Sequence, residues 1–117
     1  MNNKLTYKEY NNCNDIITID LHNGYTLIAI KSWNKENHNY SVDFYIKEDT
    51  IDKWDFVDDA KGTIFNTNYK IINSAILKWT QESINNGLLK YYIDRYEYEL
   101  RCFEIGNDIM ENNIEEE

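Results

Sequence analysis

The dipeptide Asn23-Gly24 constrains the fold of this chain more than any other feature, because it is the strongest short-range sequence signal for a tight β-hairpin. It separates two segments rich in Ile and Thr, Asp15–His22 and Tyr25–Trp33, which read as the two strands. A two-residue type I′ turn at this point fixes the register by counting outward from the turn. The predicted pairs are Ile17–Ile30, Thr18–Ala29, Ile19–Ile28, Asp20–Leu27 and Leu21–Thr26.

Further strands are predicted on both sides of this hairpin. Apolar and polar residues alternate along Tyr40–Lys47, and the short loop before it makes this segment an antiparallel neighbour of Tyr25–Trp33. Lys4–Tyr10 and Thr63–Asn66 are weaker strand candidates. The segment between residues 48 and 62 reads either as a helix or as a strand, and the three-residue spacing of its apolar residues favours a short helix.

The C-terminal half has the period of two helices. The first is predicted from a cap at Thr67 or Asn68 to Gly87, and the second from Leu88 to Met110. The tight connection between them predicts an antiparallel helical hairpin. We therefore expect an α+β fold, with an antiparallel sheet of three to five strands packed against this hairpin. Residues 1–110 form one domain in this interpretation, and residues 111–117 an acidic tail.

The same patterns predict which apolar side chains form the core. They lie on one face of the central hairpin and on the inward faces of the two helices. The predicted core residues are Ile17, Ile19, Ile28, Ile30, Ile76, Trp79, Ile93, Leu100 and Phe103.

Negative charge is concentrated in two places. The formal net charge of the chain is −9. Between residues 48 and 59, six carboxylates stand against Lys53 alone, a net of −5, and residues 111–117 contribute the other −4. On a helix, a three-residue repeat of Asp would form one acidic ridge suited to a basic partner and unsuited to direct nucleic-acid binding. A solvated face is the simpler interpretation. The candidate partner-binding residues are Glu48, Asp49, Asp52, Asp55, Asp58 and Asp59.

The final helix has a second apolar stripe, roughly opposite the one that joins the core. Such a stripe is either covered by another part of the chain, for which Lys4–Tyr10 is the candidate, or it contacts another molecule. Tyrosine is enriched in protein interfaces, so self-association is an alternative. The candidate self-association residues are Tyr91, Tyr98, Cys102, Ile105 and Ile109.

Residues that could support catalysis are few. His22 and His38 have no metal-like spacing with other ligands, and the glycines form no phosphate-binding loop. Cys13 and Cys102 are expected to be free thiols in a reducing cytoplasm, although the sequence permits a disulfide. No secretory signal or membrane-spanning segment is predicted. We therefore expect no enzymatic activity, no cofactor, no metal, no membrane association and a cytoplasmic location.

The stretch from Lys70 to Gly106, and especially Ile72–Leu77 and Tyr92–Leu100 within it, resembles small uncharacterised proteins carried by phages and integrative elements of AT-rich Firmicutes. The resemblance covers about a third of the chain. It implies an accessory role, because anti-defence proteins such as anti-CRISPR inhibitors are often small, acidic and non-enzymatic. It implies no particular site residues.

Two functional hypotheses follow from the sequence. In the first, the protein is a non-enzymatic inhibitor that docks on a basic, nucleic-acid-binding host protein and occupies the site that phosphates normally fill. In the second, it is a structural or scaffold module that forms a homo-oligomer through the last helix. Salt-sensitive binding of a basic protein would favour the first hypothesis, and binding to itself alone would favour the second.

Overall fold

One antiparallel sheet and a C-terminal helical hairpin make up the fold, as predicted. The computed structural model describes the backbone of residues 4–116 and the side chains of residues 4–102. The strands are β1 (Tyr7–Tyr10), β2 (Cys13–Asp20), β3 (Tyr25–Asn34), β4 (Asn39–Glu48), β5 (Trp54–Phe56) and β6 (Thr63–Phe65), and the helices are α1 (Ile72–Asn85) and α2 (Leu88–Glu116).

The sheet has six strands, one more than the upper number predicted. Five follow the chain in the order β1-β2-β3-β4-β5, and β6 pairs with another stretch of β4. Strand β4 can pair with both because it is ten residues long, whereas β5 and β6 have three each. The longest strands, β3 and β4, therefore lie in the middle of the sheet and carry most of the core.

The register predicted for the central hairpin is wrong by one residue. Asp20 pairs with Thr26 instead of Leu27, and Ile17 pairs with Ala29 instead of Ile30. The loop contains three residues, His22 to Gly24, and His22 and Gly24 both have positive φ. A shift of one residue exchanges the two faces of a strand. As a result Leu27 and Ala29, rather than Ile28 and Ile30, face the helices.

Side-chain hydrogen bonds explain this longer loop. The His22 amide donates to Asp20 Oδ1 at 2.8 Å, and the Tyr25 amide donates to Asn23 Oδ1 at 3.1 Å. The Asp49 amide donates to the Gly24 carbonyl, which ties the loop to the end of β4. A two-residue turn with two positive φ angles, the pattern of type I′, instead joins β1 to β2 at Asn11-Asn12.

The helix favoured between residues 48 and 62 is also wrong. Strand β5 pairs with β4, placing Trp54 opposite Lys47 and Phe56 opposite Tyr45. A single 3₁₀ turn follows at Asp58–Ala60. Since residues 54–56 form a strand, the side chains of Trp54 and Phe56 lie on the same face of it, as the strand interpretation of this segment implies.

The main core lies between the sheet and the two helices. Leu27, Phe44 and Ile46 are buried beneath α1 and α2, and the ring of Trp79 stacks on Phe44 with centroids 3.8 Å apart. Of the predicted core residues, Ile17, Ile19, Ile28, Ile76 and Ile93 are buried, whereas Ile30, Trp79 and Leu100 are only partly buried. Phe103 lies outside the described side chains.

A second, smaller apolar layer lies on the opposite face of the sheet. Ile28 is buried there, outside the helix-side cluster, and pairs across the strands with Tyr45. The Tyr45 ring contacts Phe56 and Trp54, and Trp54 contacts Tyr10 with centroids 5.3 Å apart. Tyr10 and Trp54 belong to opposite edge strands, which a flat sheet would hold roughly 19 Å apart. The sheet therefore curls toward this face.

The helices form the predicted hairpin, joined at Gly87. Helix α2 continues to Glu116, beyond the predicted end at Met110. Its inward stripe is confirmed where side chains are described, since Leu89, Tyr92, Ile93 and Tyr96 are buried. Neither described helix has a stretch long and apolar enough to cross a membrane.

Candidate partner-binding surface

The six predicted partner-binding residues lie along one stretch of chain, from the end of β4 through β5 to the 3₁₀ turn, and we call them the acidic surface. Four are exposed and two are half-buried. They do not form a helical ridge, because the segment is not a helix. The exposed residues are Asp49, Asp52, Asp58 and Asp59, and the half-buried ones are Glu48 and Asp55.

Helix α2 holds this segment in place. The Asp59 amide donates to the Tyr92 hydroxyl at 2.9 Å, and the Tyr96 hydroxyl donates to the Lys53 carbonyl at 3.3 Å. Arg95 lies 3.7 Å from Asp58. Since Tyr92 and Tyr96 are themselves buried, these contacts anchor Lys53 and the 3₁₀ turn to the core.

The negative charges of the acidic surface are only partly compensated. Within residues 4–102, Arg95 is the one basic side chain in an ion pair with it, and the same guanidinium also binds Glu99 at 3.2 Å. Burial is the main cause that raises the pKa of Asp55, and the nearby Glu99 carboxylate raises it further, whereas Lys53 and Arg95 act in the opposite direction. The net direction is upward, so the ionised form of Asp55 carries some electrostatic cost here.

A partly buried hydrogen bond joins the hairpin to α2 beside this surface. The hydroxyl of Tyr25 donates to Glu97, and the Tyr25 ring packs edge-on against Tyr96. Burial, then this hydrogen bond, raises the pKa of Tyr25, and Glu48 contributes to the rise. The carboxylates of Glu97 and Glu99 thus extend the negative region from the sheet onto α2.

The part of the second stripe of α2 whose side chains are described is exposed. Tyr91 is 57% and Tyr98 66% exposed, and Cys102 is exposed as well. The suggestion that Lys4–Tyr10 covers the two tyrosines is therefore wrong, because this segment leads into edge strand β1 instead. The other two self-association candidates, Ile105 and Ile109, lie outside the described side chains.

The chemically reactive side chains are dispersed. Cys13 and Cys102 are free thiols, and His22 lies 3.8 Å from Asp20 at the hairpin loop. Among the described residues, no three His, Cys, Asp or Glu side chains come together as a metal site would require. The arrangement offers fixed negative charge and exposed tyrosines, both suited to binding.

The sequence interpretation missed an aromatic cleft at the far end of the sheet. Trp33 and Tyr40 pair across β3 and β4, with ring centroids 4.9 Å apart. Together with Asn68 and Tyr69 they line a cavity of about 510 Å³. The positions of Trp33 and Tyr40 on either side of a short hairpin loop were a signal for their pairing, whereas nothing local pointed to Tyr69.

Comparison with known proteins identifies no relative. No protein-family model matches the chain, and no curated protein or solved structure matches it. Function is therefore inferred from the residues and their geometry.

Proposed function

We propose that this protein is a non-enzymatic interaction protein whose acidic surface docks on a basic, nucleic-acid-binding host protein. The observation that carries the proposal is the clustering of carboxylates around Asp55 and Asp58, where Arg95 is the one cation among the described residues that forms an ion pair with the acidic surface. Crowded like charges repel one another and oppose folding. A sequence therefore gains little by retaining them unless they serve binding.

The geometry suits a phosphate-competing role. Carboxylates anchored on β4, β5 and the 3₁₀ turn present negative charge on a rigid support, as a nucleic-acid backbone does. Basic sites that bind phosphates attract such a surface electrostatically and associate with it rapidly at low salt. In this proposal the protein blocks the site by occupying it.

The resemblance of two helical segments to phage and mobile-element proteins supports an accessory role, with anti-defence inhibition in the cytoplasm as the specific form. An inhibitor of this kind needs no catalytic group, only a surface that competes with nucleic acid. This proposal requires the acidic surface to bind the host protein directly.

Charge-neutralising variants test the acidic surface. Asp52→Asn, Asp58→Asn and Asp59→Asn, combined in one protein, should lose most binding to basic host proteins captured from a lysate. The matched control combines Glu36→Gln, Glu82→Gln and Asp94→Asn, which change the net charge equally at other exposed positions.

Duplex DNA added to the wild-type complex should release the captured protein if both compete for one site. Binding that survives the surface triple variant at low salt, or that DNA leaves undisturbed, would refute the proposal.

A second candidate function, homo-oligomerisation, is favoured by the exposure of Tyr91 and Tyr98 on α2. Large exposed aromatic side chains on one helix face are typical of an interface. Sedimentation of the wild type and of a Tyr91→Glu, Tyr98→Glu variant tests it. A concentration-dependent mass in the wild type that disappears in the variant would support self-association, and a monomeric wild type would exclude it.

A further inference from the structure

The cleft at the far end of the sheet is built from an aromatic row. Trp33, Tyr40 and Phe65 occupy adjacent positions on β3, β4 and β6, on the face that the helices cover elsewhere. The row lies next to the β3–β4 loop, where the helices no longer cover the sheet, and the side chain of Trp33 remains 46% exposed. The rings of Trp33 and Tyr40 line the cleft, whereas Phe65 is partly buried and packs against Phe44 of the core.

Tyr69 and Asn68, from the connection before α1, form the other wall of the cleft. Tyr69 is 72% exposed. Trp33 and Tyr40 are inclined to one another by 61°, so their faces do not close against each other. The resulting space of about 510 Å³ is lined by the three aromatic residues Trp33, Tyr40 and Tyr69, and the negative faces of such rings attract cations.

A second cavity, of about 260 Å³, adjoins the cleft and shares Tyr40 and Tyr69 with it. Its polar lining includes two exposed carboxylates, Glu9 and Asp15, and one cation, Lys31. Of the described residues that line the two cavities, two are thus acidic and one is basic. The local charge has the same sign as that of the whole chain.

Lys31 does not reverse this preference. It is 8% exposed, and within residues 4–102 its ammonium donates one side-chain hydrogen bond, to Asn73 Oδ1 at 2.8 Å. Burial lowers the pKa of Lys31, whereas Asp15 and Glu9 act in the opposite direction. The lysine is part of the wall, while both carboxylates face solvent at the cavity.

We propose that the aromatic cleft binds the guanidinium group of an arginine side chain on a partner polypeptide. A planar guanidinium stacks on aromatic faces and is more weakly hydrated than an ammonium, so it loses less on entering a partly apolar cleft. The carboxylates of Glu9 and Asp15, which line the adjoining cavity, are hydrogen-bond acceptors for its free N–H groups. An anionic ligand would instead be repelled by these carboxylates.

This site is separate from the acidic surface. Tyr40 and Glu48 lie at opposite ends of strand β4, eight residues and therefore roughly 26 Å apart. The arginine site and the acidic surface can therefore be tested independently, and a negative result for one does not contradict the other.

Chemical-shift mapping with small probes tests the proposal. The full chain, labelled with ¹⁵N, is titrated with N-acetyl-arginine amide, and the indole N–H of Trp33 is assigned with Trp33→Phe. That signal and the amides of Asn68 and Tyr69 should shift. N-acetyl-citrulline amide, which has the same shape without the charge, should leave them unchanged, and the lysine analogue should bind more weakly.

Variants locate the binding. Tyr69→Ala and the pair Glu9→Gln, Asp15→Asn should each weaken arginine binding about three- to tenfold. The control is Tyr98→Ala, since Tyr98 is a similarly exposed tyrosine on α2. Equal shifts with citrulline, shifts confined to residues 48–59, or no shift at all would each overturn the proposal.

Discussion

Replacing Ile28 by Ala tests whether the face of the sheet away from the helices contains a second core. Ile28 is 1% exposed, although neither helix covers its side of β3. Its burial depends on the curl of the sheet and on the aromatic layer that includes Tyr45 and Trp54. The substitution removes contacts on this face only.

The expected cost is about 3 kcal/mol. Ile→Ala removes three carbon atoms from a fully buried side chain, which at roughly 0.8 kcal/mol per carbon amounts to about 2.4 kcal/mol. A partly collapsed cavity of roughly 30 Å³ adds about 0.7 kcal/mol at ~24 cal/mol per Å³. With a urea m-value of about 1.5 kcal/mol/M, the unfolding midpoint should fall by about 2 M.

Urea unfolding followed by circular dichroism measures this loss, and Ile30→Ala is the matched control. Ile30 lies two residues further along the same face of β3 and is only partly buried, so its truncation should cost about 1 kcal/mol. The near-ultraviolet signal should also change in Ile28→Ala, because the aromatic layer loses its support. A midpoint that falls no further than in Ile30→Ala would show that the second core does not exist.

Three further predictions concern charge and backbone. Burial and Glu99 raise the pKa of Asp55, so Asp55→Asn should increase the free energy of unfolding at pH 7. This gain should vanish below about pH 4, where the wild-type carboxyl is protonated, and urea unfolding at both pH values measures the difference. Because burial and Glu97 raise the pKa of Tyr25, stability should fall as the pH rises above about 10, where the unfolded tyrosine ionises, and Tyr25→Phe should reduce this loss in unfolding measured between pH 8 and 11. Gly24→Ala should cost about 1–2 kcal/mol in thermal or urea unfolding through strain at φ +90°, since no atom beyond its two chain neighbours lies within 4 Å of the added carbon.

The extended and helical segments were predictable because they are long enough to show a period. Alternation identified β4, and two apolar faces identified α2. The register of the central hairpin was not predictable from its turn dipeptide. The choice between a two- and a three-residue loop depends on Asp20 and Asn23 as local hydrogen-bond acceptors and on the packing of Tyr25 against α2.

The acidic composition of residues 48–59 was evident in the sequence, but its arrangement was not. Strand β5 has only three residues, too few to establish a period, and it exists because β4 offers a free edge for pairing. The aromatic cleft was missed for a similar reason. Trp33 and Tyr40 are neighbours through their hairpin, but Tyr69 approaches them only after β6 has returned the chain to β4.

Electrostatics provides a way to separate the two proposed functions. Tyr91 packs against Tyr92, whose hydroxyl accepts a hydrogen bond from the Asp59 amide, so Tyr91 lies close to the acidic surface. In a symmetric dimer the same patch of both copies meets, which would bring like charges together near Asp58 and Asp59.

Self-association through α2 should therefore strengthen as salt screens this repulsion, whereas docking of a basic protein should weaken under the same conditions. Both should be measured between about 50 and 500 mM salt, a range in which the Debye screening length falls from roughly 14 to 4 Å. Self-association that weakens with salt would mean that the dimer interface lies away from the acidic surface, and that Tyr91 is available to a basic partner.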